Sequence, residues 1–152
     1  MTPLFTKLNL KTQTALLILN APTTFDAELA RLPATLHIAR EAKAAGPAAD
    51  FALAFATKQS EVDKFAKIVA KRAPGDAIIW FAYPKGSSKK YQCDFNRDTG
   101  WATLGALGFE PVRQIAIDED WSALRFRRVE FIKTLTRRAS MALSDAGRRR
   151  VQ

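Results

Sequence analysis

The segment Pro84–Lys90 (PKGSSKK) holds the densest set of ligand-holding groups in the chain. Lys85, Lys89 and Lys90 supply ammonium groups, Ser87 and Ser88 hydroxyls, and Gly86 a backbone open to close approach. Such a set suits a phosphate or a carboxylate. It is not a P-loop, because the G-x-x-x-x-G-K-[ST] spacing is absent. Without a ligand it reads as a solvated loop between a strand and a helix. Asp94, Asn96, Arg97 and Asp98 follow at the expected start of a helix. Capping accounts for Asp or Asn there. As a ligand set, Asn96 and Arg97 would face the Ser/Lys loop. Arg125 alternates with Trp121, Ala123 and Arg127 on one face of a strand. Two arginines on that face need partners, from Asp118, Asp120 or Glu130, or they form an anion site flanked by Trp121. Lys85, Ser87, Ser88, Lys89, Asn96, Arg97 and Arg125 are thus the candidate ligand residues.

No catalytic set stands out. His37 has no acid or nucleophile near it in sequence, and a lone histidine is weak evidence for proton transfer. Cys93 lies near Lys89 and Lys90, whose charges would lower its pKa, yet no Cys–His pair supports nucleophilic catalysis. One Cys and one His exclude a Cys/His zinc site and an intramolecular disulfide.

Charge is uneven along the 152 residues, whose net charge is +9. The chain up to residue 124 is nearly neutral. Beyond it, Arg125, Arg127, Arg128, Lys133, Arg137, Arg138, Arg148, Arg149 and Arg150 face only Glu130 and Asp145. Arg137, Arg138, Arg148, Arg149 and Arg150 are the candidate contacts for nucleic acid; the plainer reading is a solubilising tail. The apolar runs are far shorter than the roughly 20 residues of a membrane span. Lys7 and Lys11 precede only a short apolar run, unlike a secretory leader, so a cytoplasmic setting is expected.

The elements that position these groups follow from hydrophobic patterning. Thr14–Asn20, Thr35–Ala39, Phe51–Ala56 and Ala77–Tyr83 are short apolar runs bounded by breakers, and read as buried strands. The run AIIWFAY is apolar on both faces, which predicts a central place in a covered sheet. A helix is expected from Thr23–Thr24, with Phe25, Leu29 and Leu32 on its inner face. A second starts at Ser60 with Asp63 completing the cap. A third runs from about Asp94 through Trp101, Leu104 and Leu107, with Gly108 just past its end. Val112–Ile117 and Trp121–Arg127 flank Asp118-Glu119-Asp120, a link short enough for a hairpin and too short for a parallel crossover. A last helix is expected over Val129–Leu143. Strands alternating with helices predict a three-layer, Rossmann-like α/β sandwich over residues 1–128, followed by a basic tail over 129–152. Asn20, Thr57 and Tyr83–Lys90 are expected together at the carboxyl edge of its sheet.

The segment Lys64–Tyr83 (KFAKIVAKRAPGDAIIWFAY) resembles the late helix–turn–strand unit of class I S-adenosylmethionine methyltransferases. The closing strand pair is similar to that family's antiparallel ending. The resemblance implies six strands in the order 2-1-3-4-6-5, with strand 6 antiparallel and one family strand missing. The strings YPKGSSK (83–89), DFNRD (94–98) with Trp101, and VRQIAIDEDWSALRFR (112–127) resemble a bacterial family of uncharacterised proteins, domain of unknown function 3052. That resemblance implies one compact domain and no assigned activity. Methyltransferases of the first family follow strand one with a glycine-rich turn. Here it leads into Asn20-Ala21-Pro22, where Pro22 has no N–H and glycine is absent before Gly46. Glu41 stands near the position of the family's ribose-binding acid.

From the sequence, then, the leading expectation is a non-catalytic module without a cofactor that binds a small anion at the Lys85–Lys90 loop. The alternatives are nucleic-acid binding through the tail and a divergent S-adenosylmethionine-dependent methyltransferase.

Overall fold

The computed structural model describes residues 2–95 and 100–132. Six strands form one sheet: β1 Ala15–Leu19, β2 His37–Ala39, β3 Phe51–Phe55, β4 Ile78–Pro84, β5 Phe109–Ala116 and β6 Trp121–Arg128. Their order is β2-β1-β3-β4-β6-β5. The pairs among the first four strands are parallel, whereas β6 is antiparallel to both β4 and β5. Both the order and the antiparallel strand match the sequence-based expectation.

Strand alternation divides the core. Leu16 and Ile18 point to one face and pack with Phe5, Leu8, Phe25, Leu29, Leu53 and Trp80. Leu17 and Leu19 point to the other and pack with Val62, Phe65, Val69, Phe81, Trp101 and Phe126. The first face is covered by α1 (Pro3–Lys7) and by a 3-10 turn, Thr23–Phe25, leading into α2 (Asp26–Ala30). The second is covered by α3 (Gln59–Arg72) and α4 (Ala102–Ala106). β3 and β4, apolar on both faces, are buried throughout.

Several elements differ from the expectation. α1 has no counterpart in the pattern reading because five residues are too few to show a period. Its signal is Thr2-Pro3: the Thr2 hydroxyl accepts from Phe5 N at 3.2 Å, and Pro3 takes the first turn. α3 starts at Gln59, and its cap is Glu61 rather than Ser60 with Asp63. Asp63 instead accepts from Thr103 Oγ1 at 2.6 Å, tying α3 to α4. Among the described residues Asp94 and Phe95 are not helical, and α4 begins only at Ala102. β5 starts at Phe109, earlier than expected, because left-handed Gly108 (φ 91°) turns the chain straight into the sheet. Of the expected last helix, a 3-10 turn at Val129–Phe131 is seen. Residues 133–152 lie outside the described residues. No helix among the described residues is long and apolar enough to cross a membrane.

Candidate functional site

The chain leaves β1 toward one face of the sheet, through α2, and leaves β3 toward the other, through α3. Adjacent parallel strands whose exits diverge leave a crevice at their carboxyl ends, the usual ligand position in open α/β sheets. Asn20 closes β1 with a left-handed backbone, φ 58°. Asparagine adopts that conformation more readily than most side chains. Its Nδ2 donates to Phe55 O at 3.0 Å and to Glu61 Oε2 at 2.9 Å, spanning the crevice from β1 to β3 and α3. The second carboxylate oxygen, Glu61 Oε1, accepts from Thr57 N at 2.9 Å, Thr57 Oγ1 at 3.2 Å and Lys58 N at 3.1 Å. Beyond Thr57, Asp94 N donates to Thr57 O at 3.1 Å, and Asp94 Oδ1 accepts from Gln59 N at 2.6 Å. Asp94 thus caps α3 from a distant loop. Sequence reasoning placed Asn20 and Thr57 on this edge but missed Glu61 and the role of Asp94. The signal for Glu61 was its position at the third residue of α3, where a glutamate reaches back to the cap.

On the other side of β1, Arg40 Nη2 lies 3.0 Å from Asp26 Oδ1, joining the end of β2 to α2. Glu41, two residues past β2, is exposed and pairs with Lys43 at 2.8 Å. Buried Arg72 donates to Glu41 O, Lys43 O and Pro47 O, each at 3.3 Å, and so shapes the loop that returns from β2 to β3.

Above the end of β4 lies a cavity of about 550 Å³, lined in part by Tyr83, Lys85, Ser88, Tyr91, Cys93 and Phe95. The structure brings Lys85 and Ser88 to this cavity but sends Ser87 and Lys89 to a separate hollow beside Glu119 and Asp120. Ser88 is already committed: Oγ donates to Asp120 Oδ1 at 2.8 Å and accepts from Lys90 N and Tyr91 N. Lys85 N donates to Asp120 O at 2.8 Å. The loop is therefore anchored on the Asp118–Asp120 turn, whose carboxylates oppose an incoming anion. Arg125 does not join the loop. It pairs across from Trp80, whereas Trp121 pairs with Pro84 at the cavity end. Arg125 stands four positions along the strand from Trp121, about 14 Å at ~3.4 Å per residue. Arg125 Nη1 donates to Asn9 Oδ1 at 3.3 Å, and its Nε is buried without a partner among the described residues. Burial first, then the charge of Arg127, pulls its pKa below the usual arginine value. Arg127 finds its partner in Asp76, not in Asp118, Asp120 or Glu130. Asn96 and Arg97 lie outside the described residues, as do Arg137, Arg138, Arg148, Arg149 and Arg150. Cys93 departs from the expected direction: burial pushes its thiol pKa up, and Asp94 and Glu61 add to the rise. No group of three or more His, Cys, Asp or Glu among the described residues could hold a metal.

No family model and no curated protein matches the sequence. Solved structures do match its fold. An S-adenosylmethionine-dependent methyltransferase from Aquifex aeolicus aligns with a TM-score of 0.64 at 10% identity, over 82% of this chain and 87% of that one. The N-methyltransferase NodS from Bradyrhizobium japonicum aligns with a TM-score of 0.52 at 14% identity, over 76% and 86%. The [4+2]-cyclase SpnF aligns with a TM-score of 0.57 at 12% identity, over 82% and 79%. At such identities the likeness is one of fold: a Rossmann-like sheet of the methyltransferase kind.

These neighbours correct the leading expectation from the sequence. A non-catalytic module holding a small anion at Lys85, Ser87, Ser88 and Lys89 gives way to the methyltransferase alternative, as does nucleic-acid binding through the tail. The acidic anchoring of the loop supplies a physical reason for the first of these corrections.

Proposed function

We propose that the chain is a divergent S-adenosylmethionine-dependent methyltransferase domain. The observation that carries this reading is the junction of β1 and β3: a left-handed turn at Asn20 ends the first strand at the switch point of a 2-1-3-4-6-5 sheet. Solved structures similar in fold include NodS, of which a complex with S-adenosyl-L-homocysteine is known. The residues present fit an adenosyl ligand in an altered way. Asn20 supplies the backbone conformation that a glycine would otherwise supply, and its amide folds back onto Phe55 O. The turn is thus less obstructed than its composition suggests, although Pro22 still offers no N–H. Glu41, just beyond β2, is the carboxylate for the ribose hydroxyls, which would compete with Lys43 for it.

The bound group supplies an electrophilic methyl on a sulfonium. The chain's own part is to hold, orient and exclude water. Tyr83, Tyr91 and Phe95 give the neighbouring cavity aromatic walls, a setting for the methyl acceptor beside the crevice. Ser88 and Asp120 hold the Lys85–Lys90 loop in place as a rim. A body over residues 1–128 with a basic segment over 129–152 belongs to the same reading. The resemblance of residues 83–89, 94–98 and 112–127 to domain of unknown function 3052 is matched by no family model and adds no activity.

Calorimetric and thermal-shift titrations with S-adenosylhomocysteine and sinefungin test the reading. Saturation to about 100 times Kd raises the melting temperature by roughly 6–10 °C. Neither heat nor shift with either compound at millimolar concentration overturns it.

A further inference from the structure

We infer that Arg113 and Arg125 form a second binding site, for a dianionic phosphate group, on the face of the β5–β6 hairpin that meets the N-terminal segment. The two residues are register partners, and Ile115 and Ala123, the next pair along on that face, belong to the core beneath α1. Arginines directly opposite one another stand about 5 Å apart at Cβ, a like-charge arrangement that costs stability unless an anion lies between them. No acid placed against them fills that role. Asp76 spends both oxygens on Arg127. Glu110, opposite Arg127, already has a partner of its own. Arg125 makes a single side-chain hydrogen bond, to neutral Asn9 Oδ1 at 3.3 Å, and its Nε is buried with none. The exposed Arg113 side chain makes no hydrogen bond or ion pair among the described residues. A half-buried guanidinium with so little compensation is costly to the chain on its own. Asn9 is held in left-handed backbone, φ 66°, just after α1. The Leu8 carbonyl beside it accepts from Trp80, which lies across from Arg125 on β4. The floor of the site is thus fixed, whereas Arg113 is free to fold over a ligand. With Oδ1 engaged, the Asn9 amide hydrogens remain to be offered as well. Two planar forks present paired donors to tetrahedral oxygens, and two positive charges match a dianion better than a carboxylate. The site lies well away from the Lys85–Lys90 loop and the cavity, and it does not depend on the adenosyl reading.

Thermal-shift and calorimetric titrations of the full chain at constant ionic strength test the site, with inorganic phosphate, glycerol 3-phosphate and acetate as probes. Wild type is expected to bind phosphate saturably, at least about tenfold more tightly than acetate. Arg113→Gln, a change at an exposed position, should weaken phosphate roughly 10–100-fold. In phosphate-free chloride buffer the same variant should melt no lower than wild type, because the like-charge contact is gone. A merely structural arginine would make the variant melt lower, and that result overturns the inference. So does phosphate stabilisation of equal size in wild type and variant, the mark of a bulk salt effect. Acetate binding as tightly as phosphate sinks the dianion assignment. Loss of binding in Lys89→Ala rather than in Arg113→Gln moves the anion to the loop and sinks the site. Of the two phosphate probes, tighter glycerol 3-phosphate assigns the group to an ester and tighter inorganic phosphate to the free ion, and either result sustains the site.

Discussion

Arg127 grips Asp76 with both arms of its guanidinium, Nε to Oδ1 at 2.8 Å and Nη2 to Oδ2 at 2.7 Å. The pair locks the end of β6 to the loop that feeds β4. Hydrogen bonding to Arg127 holds the Asp76 carboxyl below its ordinary value near 3.8. The folded pKa is thus lower than the unfolded one, so the stabilisation is fully present above the unfolded value. It is lost as pH falls through the folded value. Both side chains are about one-third exposed, which limits the contribution to under about 1 kcal/mol at neutral pH. Asp76→Asn should flatten the acid limb of a stability-versus-pH curve below about pH 5. An unchanged acid limb in urea melts would remove the pair from the account.

Trp80 Nε1 donates to Leu8 O at 2.8 Å, a fully buried contact that fastens the N-terminal segment over the sheet. Phe5 beneath it meets Phe25 and Phe51 at ring-centroid distances of 5.9 and 6.0 Å. Phe5→Ala should cost about 3–5 kcal/mol in denaturant unfolding. A loss under about 1 kcal/mol would mean that residues 2–10 are dispensable cover.

Gly46 sits against Arg72 so closely that an added Cβ would stand 2.8 Å from Cζ and from Nη2. Its φ of 154° is also one that side chains resist. Gly46→Ala therefore displaces the guanidinium that organises the loop after β2. The expected cost is about 1–3 kcal/mol. Nuclear magnetic resonance shifts should concentrate at residues 40–48. Wild-type stability with unmoved shifts would contradict this.

Arg128 reaches carbonyls in the last turn of α3 and in the segment just after it, donating to Ala70 O at 3.0 Å, Ala73 O at 2.8 Å and Gly75 O at 2.6 Å. Its guanidinium also lies 4.8 Å from the centre of the Phe109 ring. Arg128→Lys keeps the charge but not the planar fork, and should lose most of the roughly 1.5–3 kcal/mol that Arg128→Ala loses. Equal stability of wild type and the lysine variant would show that charge alone suffices.

Burial raises the Cys93 pKa, so the thiol stays protonated at neutral pH. Its alkylation at pH 8 should run slower than that of a free cysteine and accelerate as pH rises. Reaction at the free-thiol rate would place Cys93 outside the cavity wall.

The sheet was legible because its evidence is local. FALAF and IIWFAYP are apolar on both faces, which only covered strands tolerate, and a three-residue link forces the closing hairpin. The edge carrying Asn20 and Thr57 followed from the strands alone. The partners did not. Asp76 with Arg127 and Asp94 with Gln59 lie 51 and 35 residues apart, and no spacing rule reaches that far. A charged loop was over-read for a related reason. The lysines of PKGSSKK are visible in sequence, whereas the carboxylates of Glu119 and Asp120 that sit against them arrive only through the β4–β6 pairing.

Asp94 belongs to the stretch that walls the cavity, yet it holds the first turn of α3, whose Glu61 closes the crevice. The two hollows accordingly share a hinge pin. If an occupant of one shifts that pin, the other feels it, and thermodynamic reciprocity makes the influence equal in both directions.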